Sequence, residues 1–299
     1  MSKNDSINIK IKYDFSNKKN INIQKVGLKR NPIDKYYTSD IGVNSCIELI
    51  KKYITISEND ICIEPSAGNG SFINSIKKLC DSYKFYDLEP DHSEIIKQDY
   101  LKLEYNDIKN KYSNIHLIGN PPFGRQSSLA IKFIKKSAKY CDTISFILPK
   151  SFKKDSMKKH FPLNFWQICE EDLPKNSFLV NGKKHDVPSV FQIWEKRDTK
   201  RKLPEKLLPK NFTFVKKNIP HDISFRRVGV YAGKIHTKTD DKSPQSHYFI
   251  KFNEDILVNE EFLEKIKNIH YSSCEHTVGP KSISKQELIK EFNKLLSKE

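Results

Sequence analysis

Apolar positions follow two different rhythms in the part of the chain between residues 60 and 150. Short continuous apolar runs predict buried strands, whereas stretches with apolar residues three or four positions apart predict helices. Because the two kinds of segment alternate, they predict an α/β fold with a mostly parallel sheet and helices on both of its faces. The predicted strands are 60–65, 83–90, 114–120 and 142–149, and the predicted helices are 70–79, 93–98 and 127–140.

Two further patterns flank this alternating region. An extended entry segment leads into a helix that begins at Ser39 or Asp40, either of which can act as the N-cap. Downstream, two strand-like runs on either side of Asn181 and Gly182 predict a β-hairpin, so we expect the sheet to gain an antiparallel edge. Near the start of the chain, the alternating residues 7–11 predict an added edge strand.

The amino-acid composition and the periodicity of the chain change near Lys200. The segment 196–217 is basic, contains two prolines and lacks a clear period, which is typical of a linker or of the start of a second module. A final helix is predicted after Ser284, where Glu287 completes a capping box. The sequence therefore predicts three parts, namely an N-terminal arm (1–30), an α/β domain (31–198) and a small basic α+β module (199–299).

Charge and cysteine usage narrow the class of protein. The formal net charge is +16 and the pI is near 9.3, which suits a surface that binds a polyanion, although an AT-rich genome also produces a lysine-rich composition. No signal peptide, bilayer-spanning apolar run or Cys-x-x-Cys pair is visible, so we expect reduced thiols, no membrane association and a cytoplasmic, nucleoid or nuclear location. The histidines lack metal-ligand spacing, and we expect no metal site.

The first predicted strand ends in the sequence EPSAGNGSF, which has the composition of a cofactor-binding loop. Its glycines, Gly68 and Gly70, allow a tight turn and a close approach of backbone to a ligand. A third glycine and a Gly-Lys-Ser/Thr sequence are missing, and Glu64 at the strand tip would repel a pyrophosphate. The loop therefore favours a cofactor with a cationic amino-acid end.

Two further acids follow the next predicted elements. Asp87 comes at the end of the second strand, where open sheets place an acid that binds ribose hydroxyls. Asp99 follows in the sequence KQDYL and could accept a hydrogen bond from the exocyclic amine of a purine. A strand-end aspartate can equally serve as a cap or turn residue.

The sequence IGNPPFG ends the third predicted strand in a stiff corner. Proline fixes its own φ, has no N–H donor and forces the preceding Asn120 into an extended conformation. The Asn120 side-chain oxygen and the Pro121 carbonyl could together hold both hydrogens of a planar amine such as that of adenine. Phe123 could then stack on the base. The alternative is an ordinary proline-rich turn after a strand.

Taken together, these motifs resemble the S-adenosylmethionine-dependent methyltransferases that modify adenine at N6. The matching sequences are EPSAGNGSF, YDLEP, KQDYL and IGNPPFG, in this order and spacing, within residues 30–195. The upstream sequence DKYYTSDIGV is similar to the cofactor-binding segment of the gamma-order, TaqI-like subgroup. The resemblance implies a Rossmann-like class I methyltransferase fold with S-adenosylmethionine as cofactor.

The resemblance also assigns expected roles to residues. It implies that the methionine end of the cofactor contacts Tyr37, Thr38, Glu64, Ser66, Gly68 and Gly70. Asp87 would bind the ribose and Asp99 the adenine amine, with Leu88 and Leu101 as apolar walls and Asn120 beside the cofactor. The target amine would be bound by Asn120, Pro121, Pro122 and Phe123, and Phe178 would lie against the extruded base.

The motifs leave two kinds of nucleic acid open as the substrate. DNA adenine is the expected target, but the phenylalanine of the motif is also found in ribosomal-RNA adenine methyltransferases, so RNA is the alternative. Protein-glutamine N5 methyltransferases share the chemistry, and a non-catalytic binding module that kept the fold is the rival from another class. In the basic module, Arg226 and Arg227 are candidates for contacts with the nucleic-acid backbone, or else part of a solvated sheet edge. The oligomeric state cannot be inferred from the sequence.

Overall fold

The computed structural model describes residues 36–272 and 281–297, all of which belong to one compact unit. The predicted arm (1–30) and the predicted strand at 7–11 lie outside the described residues. Up to residue 196 the elements are β1 (Tyr37–Thr38), α1 (Asp40–Tyr53), β2 (Ile61–Glu64), α2 (Ile73–Lys77), β3 (Tyr83–Asp87), β4 (Ile96–Lys97), α3 (Asn106–Lys109), β5 (Ile115–Gly119), α4 (Ser128–Ser137), β6 (Thr143–Pro149), α5 (Asp155–Lys158), β7 (Phe165–Asp172), β8 (Phe178–Val180), β9 (Lys183–His185) and β10 (Ser189–Lys196).

Seven strands form one large sheet in the order β4-β3-β2-β5-β6-β10-β7. Among the described strands of this sheet, β10 runs opposite to the other six, which all point in the same direction. This order is that of the Rossmann-like class I methyltransferase fold, as the sequence predicted. Buried apolar residues lie on both faces, which explains why the central strands are continuously apolar.

The strand order places the important loops side by side. From β2 the chain first proceeds outward through β3 and β4, then returns to β5 on the opposite side of β2. The boundary between β2 and β5 is therefore a topological switch point, and ligands of open α/β sheets bind beyond the carboxyl ends of the strands at such a point. The glycine loop after β2 and the proline corner after β5 both begin there.

A buried polar cluster joins the opposite, amino-terminal ends of the same two strands. The Asp60 carboxylate accepts hydrogen bonds from the backbone N–H groups of Ser57 (2.7 Å) and Asn114 (2.9 Å). His116 lies 3.4 Å from Asp60 and 2.8 Å from the Thr143 hydroxyl, and burial lowers the pKa of this histidine. The cluster satisfies buried polar groups and fixes β2 against β5.

Several predicted elements are confirmed and one is wrong. Ser39 is the N-cap of α1, since its hydroxyl accepts from the Gly42 N–H. The segment 93–98 is not a helix: it contains turns and β4, which pairs with the end of β3. Six residues offer less than two helical turns, so periodicity cannot distinguish the two structures there. Strand β7 was not predicted from the sequence.

The hairpin forms where the sequence predicted it, with a positive φ at both Asn181 (49°) and Gly182 (73°). Its strands do not extend the large sheet, however. They form a separate three-stranded sheet in the order β1-β8-β9. The antiparallel member of the large sheet is β10, which lies inside the sheet between β6 and β7 rather than at its edge.

The described part of the C-terminal region contains a third sheet and two helices. Its elements are β11 (Phe212–Val215), β12 (Ile223–Arg226), β13 (Ile235–His236), β14 (His247–Phe252), α6 (Glu260–Lys267) and α7 (Lys285–Leu296), and the antiparallel strand order is β11-β14-β12-β13. The helices and one face of the sheet enclose an apolar core of their own, in agreement with the predicted α+β module. At the predicted capping box, the Ser284 hydroxyl accepts from the Glu287 N–H at 3.2 Å. Among the described residues, no helix has the length and apolar character needed to cross a bilayer.

Candidate active site

The glycine loop turns back over the end of β2 and is held by Asp87. The Gly68 N–H donates to Asp87 Oδ2 at 2.8 Å, and the Ala67 N–H donates to the Tyr86 carbonyl at 2.9 Å. Gly68 has a φ of 54°, and a Cβ at this position would lie 3.0 Å from the ring of Tyr37. The backbone of the loop is therefore fixed between the end of β3 and an aromatic ring from β1.

Glu64 is an acid without enough polar partners for its position. Its side chain is 2% exposed, and no hydrogen-bond partner for its Oε2 atom is present among the described residues. Burial, with a further contribution from the negative charge of Asp87, raises the pKa of Glu64 well above its usual value. Such an orphaned acceptor at the end of β2 is suited to a ligand that brings a positive charge or a donor.

The neighbouring strand makes room for Glu64. Gly119, the last residue of β5, has a φ of 150°, and a Cβ there would lie 3.1 Å from Glu64 Cγ. A larger residue would therefore collide with the buried carboxyl side chain. The sequence pointed to the glycines after β2 but gave no reason to single out Gly119, whose importance depends on a contact across the sheet.

Asp87 and Asp99 both make the local hydrogen bonds of turn and cap residues. The second Asp87 oxygen accepts from the Glu89 N–H at 2.9 Å, and Asp99 accepts from the Leu101 N–H at 3.0 Å. Each carboxylate oxygen can accept more than one hydrogen bond, so these contacts leave capacity for a ligand. Leu88 is 61% exposed beside Asp87, whereas Leu101 packs partly against the core.

The orientation of the Asn120 amide is set by the entry strand. Its Nδ2 group donates to the Tyr36 carbonyl and to the Thr38 hydroxyl, each at 3.3 Å. A carbonyl oxygen can only accept, so the amide nitrogen must face β1 and the Oδ1 atom must face away from it. No donor among the described residues occupies Oδ1. The Ser66 hydroxyl also donates to the Asn120 backbone carbonyl at 3.3 Å, which joins the corner to the glycine loop.

The rest of the corner is rigid and partly exposed. Pro121 is buried and Pro122 is exposed, while Phe123 is half-buried against the core. The Phe123 carbonyl accepts from the Leu129 N–H at 3.2 Å, so the start of α4 fixes the corner from behind. The corner therefore holds a fixed amide beside the glycine loop and leaves part of the Phe123 ring exposed.

Residues that the sequence did not single out close the outer side of the loop. The Tyr37 hydroxyl donates to the Asp91 carboxylate, and the Asp91 N–H donates to the Gly68 carbonyl at 2.9 Å. His92 lies beside Gly70, where an added Cβ would approach its ring to 3.2 Å. Neither Asp91 nor His92 belongs to a recognisable motif, so only the folded chain reveals their positions.

Three of the predicted binding residues lie outside this group. Phe178 pairs with Thr38 across the small sheet, but its ring is 1% exposed and belongs to the core. Its role against an extruded base stays a prediction. Arg226 and Arg227 lie at and just after the end of β12 in the C-terminal sheet. The structure thus brings together the predicted site residues that lie on or directly after β1, β2, β3 and β5.

No family model and no curated protein matches the chain. Among solved structures, it is similar to the type I restriction-modification system methyltransferase subunit of Streptococcus thermophilus (12% identity, 56% of this chain and 46% of that chain, TM-score 0.40). It is also similar to the N-methyltransferase NodS of Bradyrhizobium japonicum (8% identity, 52% and 94%, TM-score 0.36) and to an rRNA methylase of Streptococcus thermophilus (10% identity, 52% and 97%, TM-score 0.36). Such low similarity carries no argument about the reaction.

Proposed function

We propose that the chain is an S-adenosylmethionine-dependent methyltransferase that methylates the N6 amine of adenine in DNA. One observation supports this above the others: the Asn120 amide oxygen is turned outward and held there, directly beside a glycine loop that follows a buried acid. A turn residue without a function needs neither the fixed amide nor the acid.

The residues at the switch point fit S-adenosylmethionine. The orphaned Oε2 atom of Glu64 suits the ammonium group of the methionine end, with the loop around Ser66 and Gly68 beside it. Asp87 would hold the ribose hydroxyls, and Leu88, 61% exposed, would cover an apolar face of the adenine ring. When bound, the cofactor supplies a methyl group on a positively charged sulfur.

The proline corner would prepare the target amine. The lone pair of an adenine amine is delocalised into the ring, which makes the nitrogen planar and a poor nucleophile. Asn120 Oδ1 and the Pro121 carbonyl would accept its two hydrogens, favour a tetrahedral nitrogen and aim its lone pair toward the methyl group. The half-buried Phe123 would stack on the base and offset part of the cost of extruding it from the helix.

The net charge of +16 supports a nucleic-acid substrate over a protein glutamine. Adenine in RNA is the second candidate for the substrate, because the motif ends in Phe123 rather than in tyrosine. Both candidates use the same residues for the same chemistry.

The test replaces the amide at the corner. Asn120→Ala should abolish methyl transfer while the affinity for S-adenosylmethionine stays close to that of the parent protein, because the substitution removes a contact made by the target amine. Asn110→Ala, at an exposed asparagine that ends α3, is the matched control and should retain full transfer.

Mass-spectrometric nucleoside analysis of DNA and RNA, each incubated with protein and labelled cofactor, measures the product. N6-methyladenine in DNA supports the proposal, and the same product in RNA alone transfers the assignment to the second candidate. Near-parental transfer by Asn120→Ala overturns the role of this residue. Failure of the parent protein to bind the cofactor overturns the proposed function as a whole.

A further inference from the structure

The C-terminal sheet has a large groove on one face that is not part of the candidate active site. Its volume is about 740 Å³, within the range of roughly 300–1,000 Å³ that is usual for ligand pockets. The groove lies along β11 and β14 and ends at the start of α7. Its lining consists of Phe214, Val215, Lys216, Lys217, Asn218, Arg227, Pro244, His247, Tyr248, Phe249 and Lys285.

The charged side chains that line this groove are all positive. Four cationic side chains line it, and no carboxylate is found among the described lining residues. Lys217 donates to the Asp240 carbonyl at 2.6 Å and Arg227 to the Gln245 carbonyl at 2.7 Å, but neither these two nor Lys216 and Lys285 form an ion pair within the described part of the chain. Their charges are therefore available for an anionic ligand.

Aromatic rings lie directly beneath two of these cations. The Lys285 ammonium is 4.6 Å from the centre of the Phe214 ring and 5.5 Å from that of Tyr248. The Arg227 guanidinium is also 5.5 Å from the Tyr248 ring centre. Both rings are only half-buried. The groove thus places two partly exposed aromatic rings, which can contact a flat base, next to cations that can contact phosphates.

The structure also separates the two arginines that the sequence had grouped. Arg226 donates through Nε to the Val228 carbonyl at 2.9 Å and does not line the groove, whereas Arg227 does. Burial lowers the pKa of His247, and the neighbouring cations Arg226 and Lys242 lower it further, so this ring carries less positive charge than an ordinary histidine. The positive charge of the groove therefore comes from its lysines and from Arg227.

We infer that this groove binds single-stranded nucleic acid, with an unpaired base on Phe214 and Tyr248 and with phosphates against Lys285, Arg227 and the lysines that follow β11. A paired base in a duplex has no free face to stack on these rings, which is why a single strand fits better. The inference goes beyond the proposed function, because binding at this groove requires neither the cofactor nor methyl transfer.

The test measures the binding of fluorescein-labelled oligonucleotides of about 12 nucleotides, a length within the range that single-strand-binding grooves cover. Fluorescence anisotropy without cofactor compares single-stranded DNA, single-stranded RNA and duplex DNA of the same sequence. We expect both single strands to bind at least about fivefold more tightly than the duplex, and their ratio shows which sugar is preferred.

Charge reversal provides a matched pair of variants on one helix. Lys285→Glu should weaken single-strand binding about tenfold, because it places a negative charge in the groove. Lys290→Glu changes the net charge equally at an exposed position of the same helix α7, outside the groove, and should change binding by less than about twofold. Equal losses for the two variants would contradict a site at the groove.

Stacking is tested with Phe214→Leu, which keeps an apolar side chain but removes the ring face. A loss of about tenfold supports the inference, and unchanged affinity overturns it. Thermal unfolding of each variant shows whether the module stays folded, and Lys285→Glu tests the groove even if Phe214→Leu does not fold.

A competition experiment tests whether the groove selects nucleic acid over any polyanion. If a poly-glutamate peptide displaces the labelled oligonucleotide as strongly as an unlabelled oligonucleotide does, the inference is overturned. A parent protein that binds single strands at the groove but transfers no methyl group counts against the proposed function only, whereas a parent that transfers methyl groups without this binding counts against the inference only.

Discussion

Glu64 places an ionisable group in a position from which water is excluded. The pKa of this carboxyl is raised by burial and by Asp87, so the folded chain holds the Glu64 proton more tightly than the unfolded chain, where the pKa is about 4.3. A raised folded pKa contributes stability that is fully present below the unfolded pKa. This stability is lost as the pH rises from about 4.3 toward the folded pKa.

The first prediction concerns Glu64→Gln, which keeps the size of the side chain but does not titrate. Without cofactor, the variant should gain stability relative to the parent as the pH rises above about 4.3, at up to about 1.4 kcal/mol per pH unit within that window. Thermal or denaturant unfolding between pH 4 and 8, in the range where carboxyl groups titrate, measures the difference. Parallel stability curves for the two proteins would show that Glu64 is ionised in the folded state.

At the scale of elements, β1 is short but it positions the corner after β5. It pairs with β8, and the Ser39 N–H that follows it donates to the Ser177 carbonyl at 2.9 Å. Held in this way, β1 and the residue before it present the Thr38 hydroxyl and the Tyr36 carbonyl to Asn120. The hairpin thus supports the orientation of an amide that directly follows a strand of the large sheet.

The second prediction concerns the hydrogen bond between the Asn120 amide and the Thr38 hydroxyl. Thr38→Val removes this hydroxyl and keeps the branched shape of the side chain. Losing one hydrogen bond of about 1 kcal/mol should let the Asn120 amide rotate and lower the turnover rate roughly fivefold to tenfold. Thr38→Ser retains the hydroxyl and should keep the rate near that of the parent. Steady-state kcat on an adenine-containing oligonucleotide measures both variants, and an equal loss in valine and serine variants would exclude the hydrogen bond as the cause.

Elements with a strong pattern could be predicted from the sequence, and elements that depend on distant partners could not. Strands β2, β5 and β6 are buried along their whole length because both faces of the sheet are covered, and this signal is local. By contrast, β4 has two residues and exists through its pairing with β3. Strand β7 combines apolar with charged residues, and within the described part of the chain it pairs with β10 alone.

For the whole molecule, the chain order of the motifs was sufficient to predict which loops meet, because parallel strands end at the same edge of a sheet. The order of the motifs was not sufficient to predict how the side chains are oriented. The amide of Asn120 is oriented by a residue 84 positions earlier in the chain, and the space for Glu64 depends on Gly119. The groove of the C-terminal sheet was also beyond prediction, since its cations and rings come from separate strands and a helix.

Arg201 attaches the segment between the large sheet and the C-terminal region to the α/β part of the chain. Its guanidinium donates to the carbonyls of Lys158, Phe161 and Phe165 at distances between 2.8 and 3.0 Å. It also lies over the Trp194 ring at 5.2 Å from the ring centre. The segment that follows β10 is thereby attached, at its start, to the loop around α5 by a single side chain.

Arg201→Lys should therefore destabilise the protein although it keeps the charge. A lysine ammonium cannot reach all three carbonyls in the planar geometry of a guanidinium, so we expect the free energy of unfolding to fall by about 2 kcal/mol. Urea denaturation measures the change, with Lys202→Ala at the exposed neighbouring position as control. A change below about 0.5 kcal/mol, which is usual for surface substitutions, would contradict the anchoring role.

The internal position of β10 has a consequence for how the chain acquires its fold during synthesis. Strand β7 leaves the ribosome before β10, which is its one neighbour among the described strands, and β6 keeps an open edge for the same interval. Until Ser189–Lys196 has emerged, both strands expose unpaired backbone groups that could join another nascent chain. A pause in translation between β7 and β10 should therefore favour aggregation, and a chain that stops before Ser189 lacks the strand that completes the sheet.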